Sequence, residues 1–222
     1  MCTGIMRPCM AYRKKRIKLP RESIRQLKDI SYLSTIKRWE YAGGIEYRGF
    51  TFSDPTYTTS KKRDCVEAQE LSDIWDTEIT YHTHPGYGTD DFNLNVHSTI
   101  FTTLPSVADF EVYIKGFPWL QSNILCDAHG YYVIDIIPGV ENNVLPLPEA
   151  VNTYMRQLRR EPYMRIHAFS DEGYEYFDTT LQSWKRYINS KVREDLLSLF
   201  GISIRYYGYA DESPIITVLR EV

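Results

Sequence analysis

The spacing of apolar residues changes along the chain, and each change predicts an element. Ile24, Leu27, Ile30, Leu33 and Ile36 recur every three residues among charges, directly after Pro20, which predicts a helix. Residues 39–47 are aromatic and β-favouring, with Gly43-Gly44 in their middle; a glycine inside a strand often marks the close approach of a ligand or another backbone. A turn at 47–49 leads to a second strand over 50–59. Residues 60–76 are polar and read as a short helix or a surface loop. Residues 77–83 alternate as a strand that Pro85-Gly86-Tyr87-Gly88 ends, and a loop runs on to 104. Pro105 is expected at the first position of a helix that continues to about 115, with Ser106 and Asp109 in its first turn. Residues 121–127 and 131–137 then read as a β-hairpin turning at 128–130.

Beyond this point the pattern shifts. Residues 138–148 contain Pro138, Pro146 and Pro148 and suit a linker. Residues 149–160 and 180–200 are helical by period. The second carries Leu181, Trp184, Ile188, Val192 and Leu196 on one stripe, with Gly201 placed to stop it. The last twenty residues return to a strand-like pattern. The expected organisation is α/β: an arm over 1–19, a mixed sheet flanked by helices over 20–138, and a mostly helical C-terminal extension over 139–222 that could offer a partner or substrate surface.

Charge and cysteine usage narrow the setting. Residues 1–28 hold nine Lys or Arg against one acid, Glu22, while the whole chain has a net charge of -3. Arg13-Lys14-Lys15-Arg16 could serve nuclear entry or nucleic-acid contact; a solvated tail or a dock for an acidic partner is the reading adopted, so nucleic acid is not an expected partner. Cys2, Cys9, Cys65 and Cys126 form no CxxC pair, which argues against a disulfide framework and a cysteine zinc site. No apolar run is long enough to span a bilayer, and the first residues lack the pattern of a secretory signal. The expected setting is intracellular, cytoplasmic and reducing, with the nucleus open through the basic arm.

Three short segments carry the candidate chemistry. His82 and His84 lie two apart on a predicted strand, so both imidazoles leave the same face. Ser106 and Asp109 lie three apart at a helix start and share one helix face. If that helix start faces the strand end, Asp109 completes a His2Asp set that holds zinc and leaves a coordination position open. Glu40, just before Gly43-Gly44, is the candidate general base, with Glu46 as an alternative on the same strand. Ser106 could donate a hydrogen bond to an oxyanion, a contribution of roughly 3–4 kcal/mol. His129 is expected to be a solvent-facing turn residue and His167 a structural or interface one. A metallo-β-lactamase lacks support because no Asp-His continuation follows HTHPGY, and a zinc deaminase because no PCxxC is present.

Glu40-x-x-Gly43-Gly44, His82-Thr83-His84-Pro85 and Pro105-Ser106-x-x-Asp109, in this order, resemble the JAMM motif of the JAB/MPN metalloprotease family. The hairpin over 121–134 is similar to the strand pair that follows the motif helix there, and the resemblance covers about residues 20–137. It implies a cytidine-deaminase-like α/β core and one catalytic zinc ion. His82, His84 and Asp109 would be its ligands, Glu40 the acid/base and Ser106 the oxyanion stabiliser. It also implies isopeptidase activity, usually on a lysine conjugate of ubiquitin or a ubiquitin-like protein. The alternative is a non-catalytic scaffold or assembly subunit of a virion or complex; such members usually lose the ligands, whereas every motif residue is present here. One departure is the twenty-one residues from Pro85 to Pro105, where the family usually has a much shorter loop. They are read as an insertion that contacts substrate or lids the site. The other reading gives the third ligand to Asp90, Asp91 or His97.

Overall fold

The computed structural model describes residues 12–48, 50–67, 77–87, 99–117, 119–136 and 146–221. In chain order these form β1 (Tyr12–Lys18), α1 (Arg21–Lys37), β2 (Ala42–Ile45), β3 (Tyr47–Arg48), β4 (Thr51–Phe52), β5 (Thr56–Thr58), β6 (Ile79–Thr83), β7 (Thr99–Thr102), α2 (Val107–Gly116), β8 (Ser122–Cys126) and β9 (Gly130–Ile136). Then follow α3 (Pro148–Leu158), α4 (Pro162–His167), β10 (Ala168–Asp171), β11 (Tyr174–Thr180), α5 (Leu181–Tyr187), α6 (Arg193–Phe200), β12 (Ile202–Gly208) and β13 (Ile215–Glu221). A π-helical turn, Ile188–Val192, joins α5 to α6.

A six-stranded sheet in the order β12-β9-β8-β6-β2-β5 is the centre of the fold. Among the described residues, only its β6–β8 pair is parallel; the register runs from Ile79↔Ser122 to Thr83↔Cys126. A parallel pair needs a crossover, and α2 lies in that connection. The crossover returns the chain across the sheet, which sets the start of α2 beside the C-terminal end of β6. Both faces of the sheet are covered. Along β9, Tyr131 and Val133 pack with α1 residues Ile24, Leu27 and Ile30, whereas Tyr132 and Ile134 pack with Phe110 of α2 and Trp184 of α5. The same alternation sends Ile79 and Tyr81 of β6 toward α1, and therefore Thr80 and His82 toward α2.

Several expectations change. The segment read as an arm over 1–19 contains β1, which pairs along its full length with β13, from Tyr12↔Glu221 to Lys18↔Ile215. Its dense charge hides a strand whose Ile17 is buried beside Ile216 and Val218. The C-terminal stretch is not mostly helical: it contains four strands, and β12 pairs with β9 over seven residues. The loop expected over 85–104 contains β7, and β7 pairs with β11. Together with β10 these make a three-stranded sheet, β10-β11-β7. The long 85–105 connection and the C-terminal third are therefore joined to each other by backbone hydrogen bonds. Ser106 is the N-cap of α2 and Val107 its first residue, so Pro105 lies two positions before the first helical position it was expected to fill. No helix turn forms over 60–67; the rest of the 60–76 segment lies outside the described residues, as do Cys2, Cys9, Asp90, Asp91 and His97. Cys65 and Cys126 are free thiols. Among the described residues, no helix is long and apolar enough to cross a membrane.

Candidate metal centre

His82 occupies the penultimate position of β6. His84 continues the same line beyond the strand, its backbone N–H donating to Cys126 O at 2.8 Å. The extended backbone places both rings on the α2 side, 5.2 Å apart between centroids. Asp109 arrives from the first turn of α2. A reciprocal capping box holds it: the Ser106 backbone N–H donates to Asp109 Oδ2 at 2.6 Å, and the Asp109 backbone N–H donates to Ser106 Oγ at 3.2 Å.

One ligand atom from each of His82, His84 and Asp109 lies within 4.8 Å of the others. His82 Nε2 is 3.1 Å from Asp109 Oδ1, and His84 Nε2 is 3.6 Å from Asp109 Oδ2. Donors about 2 Å from a shared zinc ion sit roughly 3–3.5 Å apart, so this spacing suits such an ion. His82 Nε2 is buried and makes no hydrogen bond of proper geometry. A buried polar atom without a partner is costly, and a cation shared with Asp109 would provide one. His84 Nδ1 lies 3.1 Å from the Thr103 hydroxyl, which orients the ring and turns Nε2 toward Asp109. The described residues thus place two nitrogens and one carboxylate close enough to share a metal.

Glu40 stands beside this set, with Oε1 3.9 Å from His84 Nε2. It precedes β2 rather than belonging to it. Its backbone is fixed by Lys62 O, which accepts its N–H at 2.8 Å, and by the Thr59 hydroxyl, which donates to its carbonyl at 2.6 Å. Its carboxyl is also in hydrogen-bond contact with the Tyr174 hydroxyl from β11. Glu46 pairs with Arg48 on the surface and does not line the cavity. Ser106 does line it; the hydroxyl caps the helix through a lone pair, and its proton remains free to donate. A cavity of about 520 Å³ contains Glu40, His82, His84, Ser106 and Asp109, with Val112 and Leu120 on an apolar wall.

The four titratable groups are driven apart by their surroundings. Burial pushes Glu40 up to about 7, against the pull of His82 and the Tyr174 hydrogen bond, with Asp109 adding to the rise. Burial lowers His84 to about 4, which keeps the ring neutral at pH 7. Burial also opposes charge on His82, yet the adjacent Asp109 carboxylate outweighs it and raises the imidazole. Asp109 would likewise be raised by burial, but His82, His84 and the Ser106 N–H hold it well below the usual carboxylate range. An ionised Asp109 and a neutral His84 are in the states that bind a metal.

His129 and His167 lie outside this cavity. His129 is not a free turn residue: its Nε2 accepts the Phe101 backbone N–H at 3.4 Å, so it ties the β8–β9 turn to β7. His167 packs on Tyr163 at 4.8 Å and contacts Asp178 O. Sequence reasoning misses Thr103 and Tyr174. No local motif marks either; Thr103 follows β7, and Tyr174 is brought in by the β10–β11 hairpin. No protein-family model, curated protein or solved structure matches the chain.

Proposed function

We propose that this chain is a zinc-dependent isopeptidase of the JAMM type, built on a cytidine-deaminase-like JAB/MPN core, that removes ubiquitin or a ubiquitin-like modifier from a lysine conjugate. The carrying observation is the convergence of Glu40 on the His82-His84-Asp109 set inside one cavity. The order β6–α2–β8, which delivers two imidazoles and one helix-start carboxylate to the same place, supports the fold assignment.

A zinc ion held by His82 Nε2, His84 Nε2 and Asp109 would polarise the scissile carbonyl and lower the pKa of a water toward about 7. Glu40, beside the His82-His84-Asp109 set, takes up the water's proton on its carboxylate and passes it to the leaving amine. Ser106 Oγ–H faces the same cavity and donates to the oxygen on which negative charge develops. Thr103 keeps the His84 ring in place, and the capping box keeps Asp109 in place.

The test pairs metal analysis of purified protein with a cleavage panel of ubiquitin and ubiquitin-like proteins isopeptide-linked to lysine, run for wild type and Glu40→Gln. One zinc per chain in both proteins, with cleavage by wild type alone, supports the reading. A wild-type protein that takes up no zinc, or a zinc-loaded one that cleaves nothing in the panel, overturns it.

A further inference from the structure

We propose that Tyr174, delivered by the β10–β11 hairpin, is the positioning residue that fixes the Glu40 carboxyl beside the metal centre. This inference rests on the isopeptidase reading and adds to it a part supplied by the C-terminal third, outside the segment that carries the motif.

Glu40 has few local means of holding its side chain. It precedes β2, and its backbone contacts orient the main chain only. The carboxyl group's hydrogen bond comes from Tyr174, 134 residues away in sequence. The tyrosine ring lines the cavity and meets His84 edge-on, with centroids 5.7 Å apart. Its hydroxyl also lies 2.5 Å from Arg63 O, so its one proton is shared between that carbonyl and the Glu40 carboxyl.

The hairpin is itself pinned at several points. Its turn residues Glu172 and Gly173 have φ of 46° and 89°, the pair of positive angles that a tight two-residue β-turn demands, and Asp171 pairs with Tyr174 across it. Arg63 and Arg38 both reach Asp171, at 3.4 and 3.3 Å, and both also pair with Glu172. The Arg63 guanidinium lies over the Tyr174 ring at 5.4 Å. Two residues on, the Tyr176 hydroxyl donates to Pro85 O at 3.0 Å, next to the ligand His84. The far end of β11 pairs with β7, whose next residue, Thr103, holds His84. One small sheet therefore reaches the general base through Tyr174 and a metal ligand through Thr103. A general base displaced by about 1 Å can lose on the order of 100-fold in rate.

Tyr174→Phe keeps the ring, the His84 contact and the hairpin packing, and removes only the hydroxyl. On the conjugate that wild type cleaves, the expected result is a kcat lowered about 10- to 100-fold with KM within about twofold of wild type. Zinc stoichiometry and thermal midpoint stay at the wild-type values. A crystal structure of the zinc-loaded variant should show the Glu40 carboxyl turned from its wild-type position or spread over several rotamers. An unchanged kcat, or a Glu40 that keeps its wild-type rotamer, overturns the inference and leaves the isopeptidase reading standing. Parallel losses of zinc and thermal midpoint also overturn it, because they mark Tyr174 as structural support for the fold. If zinc-loaded wild type cleaves no conjugate, both readings fall.

Discussion

Asp109 uses its two carboxylate oxygens for two tasks: Oδ2 accepts the Ser106 backbone N–H at 2.6 Å, and Oδ1 lies 3.1 Å from His82 Nε2. The capping box thus serves the site as well as the helix. It takes up a backbone donor that the helix start would leave unpaired, and it fixes one carboxylate oxygen while the other faces His82.

Two substitutions separate those tasks. Asp109→Asn keeps an oxygen acceptor for the Ser106 N–H but removes the charge. Its zinc affinity should fall by more than the roughly 10- to 100-fold typical of an outer-shell change. Asp109→Ala loses the box as well, and its metal-free form should unfold about 1 kcal/mol more easily than the Asn variant. Chelator competition reads the first quantity and urea unfolding the second. Equal zinc affinity in Asp109→Asn and wild type would remove Asp109 from the ligand set.

Thr103→Val tests the outer shell. The hydroxyl at 3.1 Å from His84 Nδ1 disappears, while the Thr103 carbonyl that accepts the Tyr132 hydroxyl at 2.6 Å remains. Zinc affinity should drop roughly 10- to 100-fold by the same competition assay. An unaltered affinity would mean that packing alone orients the ring.

What the sequence made legible depended on how far apart the cooperating residues lie. His82 and His84 share a strand face by a spacing of two, and Ser106 and Asp109 share a helix start by a spacing of three, so each pair can be read locally. The shared face toward α2 follows from the β6–β8 crossover, which the strand–helix–strand order already suggests. Tyr174 is different. Its role is set by a partner 134 residues away, and its hairpin is short, with a turn that carries Glu172 at positive φ. β7 was hidden for a related reason: four residues, TIFT, become a strand by pairing with β11, and a run that short has no distinctive period. β1 was masked by its charge. The candidate ligands were therefore visible as chemistry at short range, whereas the contacts around them arise from tertiary pairing.

Gly43 shows the same logic in the backbone. A Cβ there would lie 1.7 Å from Thr56 O and 2.7 Å from the Tyr81 ring, so no side chain fits between β2 and its neighbours. Gly43→Ala should force β2 from β5, lowering stability by about 1–3 kcal/mol, and should shift Glu40, three residues earlier. Urea unfolding and the zinc-loaded cleavage rate should both register the change. A variant with wild-type stability would show that the β5 edge yields freely.

Glu40 makes the metal-free protein less stable as pH rises. Its folded pKa of about 7 lies above the ordinary 4.5, so between these values the folded chain binds more protons than the unfolded one. Stability from this group is therefore fully present below about 4.5 and is lost as pH climbs through 7. A tenfold change in proton affinity between the folded and unfolded chain corresponds to about 1.4 kcal/mol, which sets the loss near neutrality on the order of 3 kcal/mol. Glu40→Gln cannot ionise, yet retains an oxygen for the Tyr174 hydroxyl. Relative to wild type, the metal-free variant should show little difference at pH 4.5 and a growing stability advantage up to pH 7. Urea unfolding at several pH values, with a chelator present, measures that difference. A difference that stays constant across the range would show that the Glu40 carboxyl ionises at its ordinary pKa despite its burial.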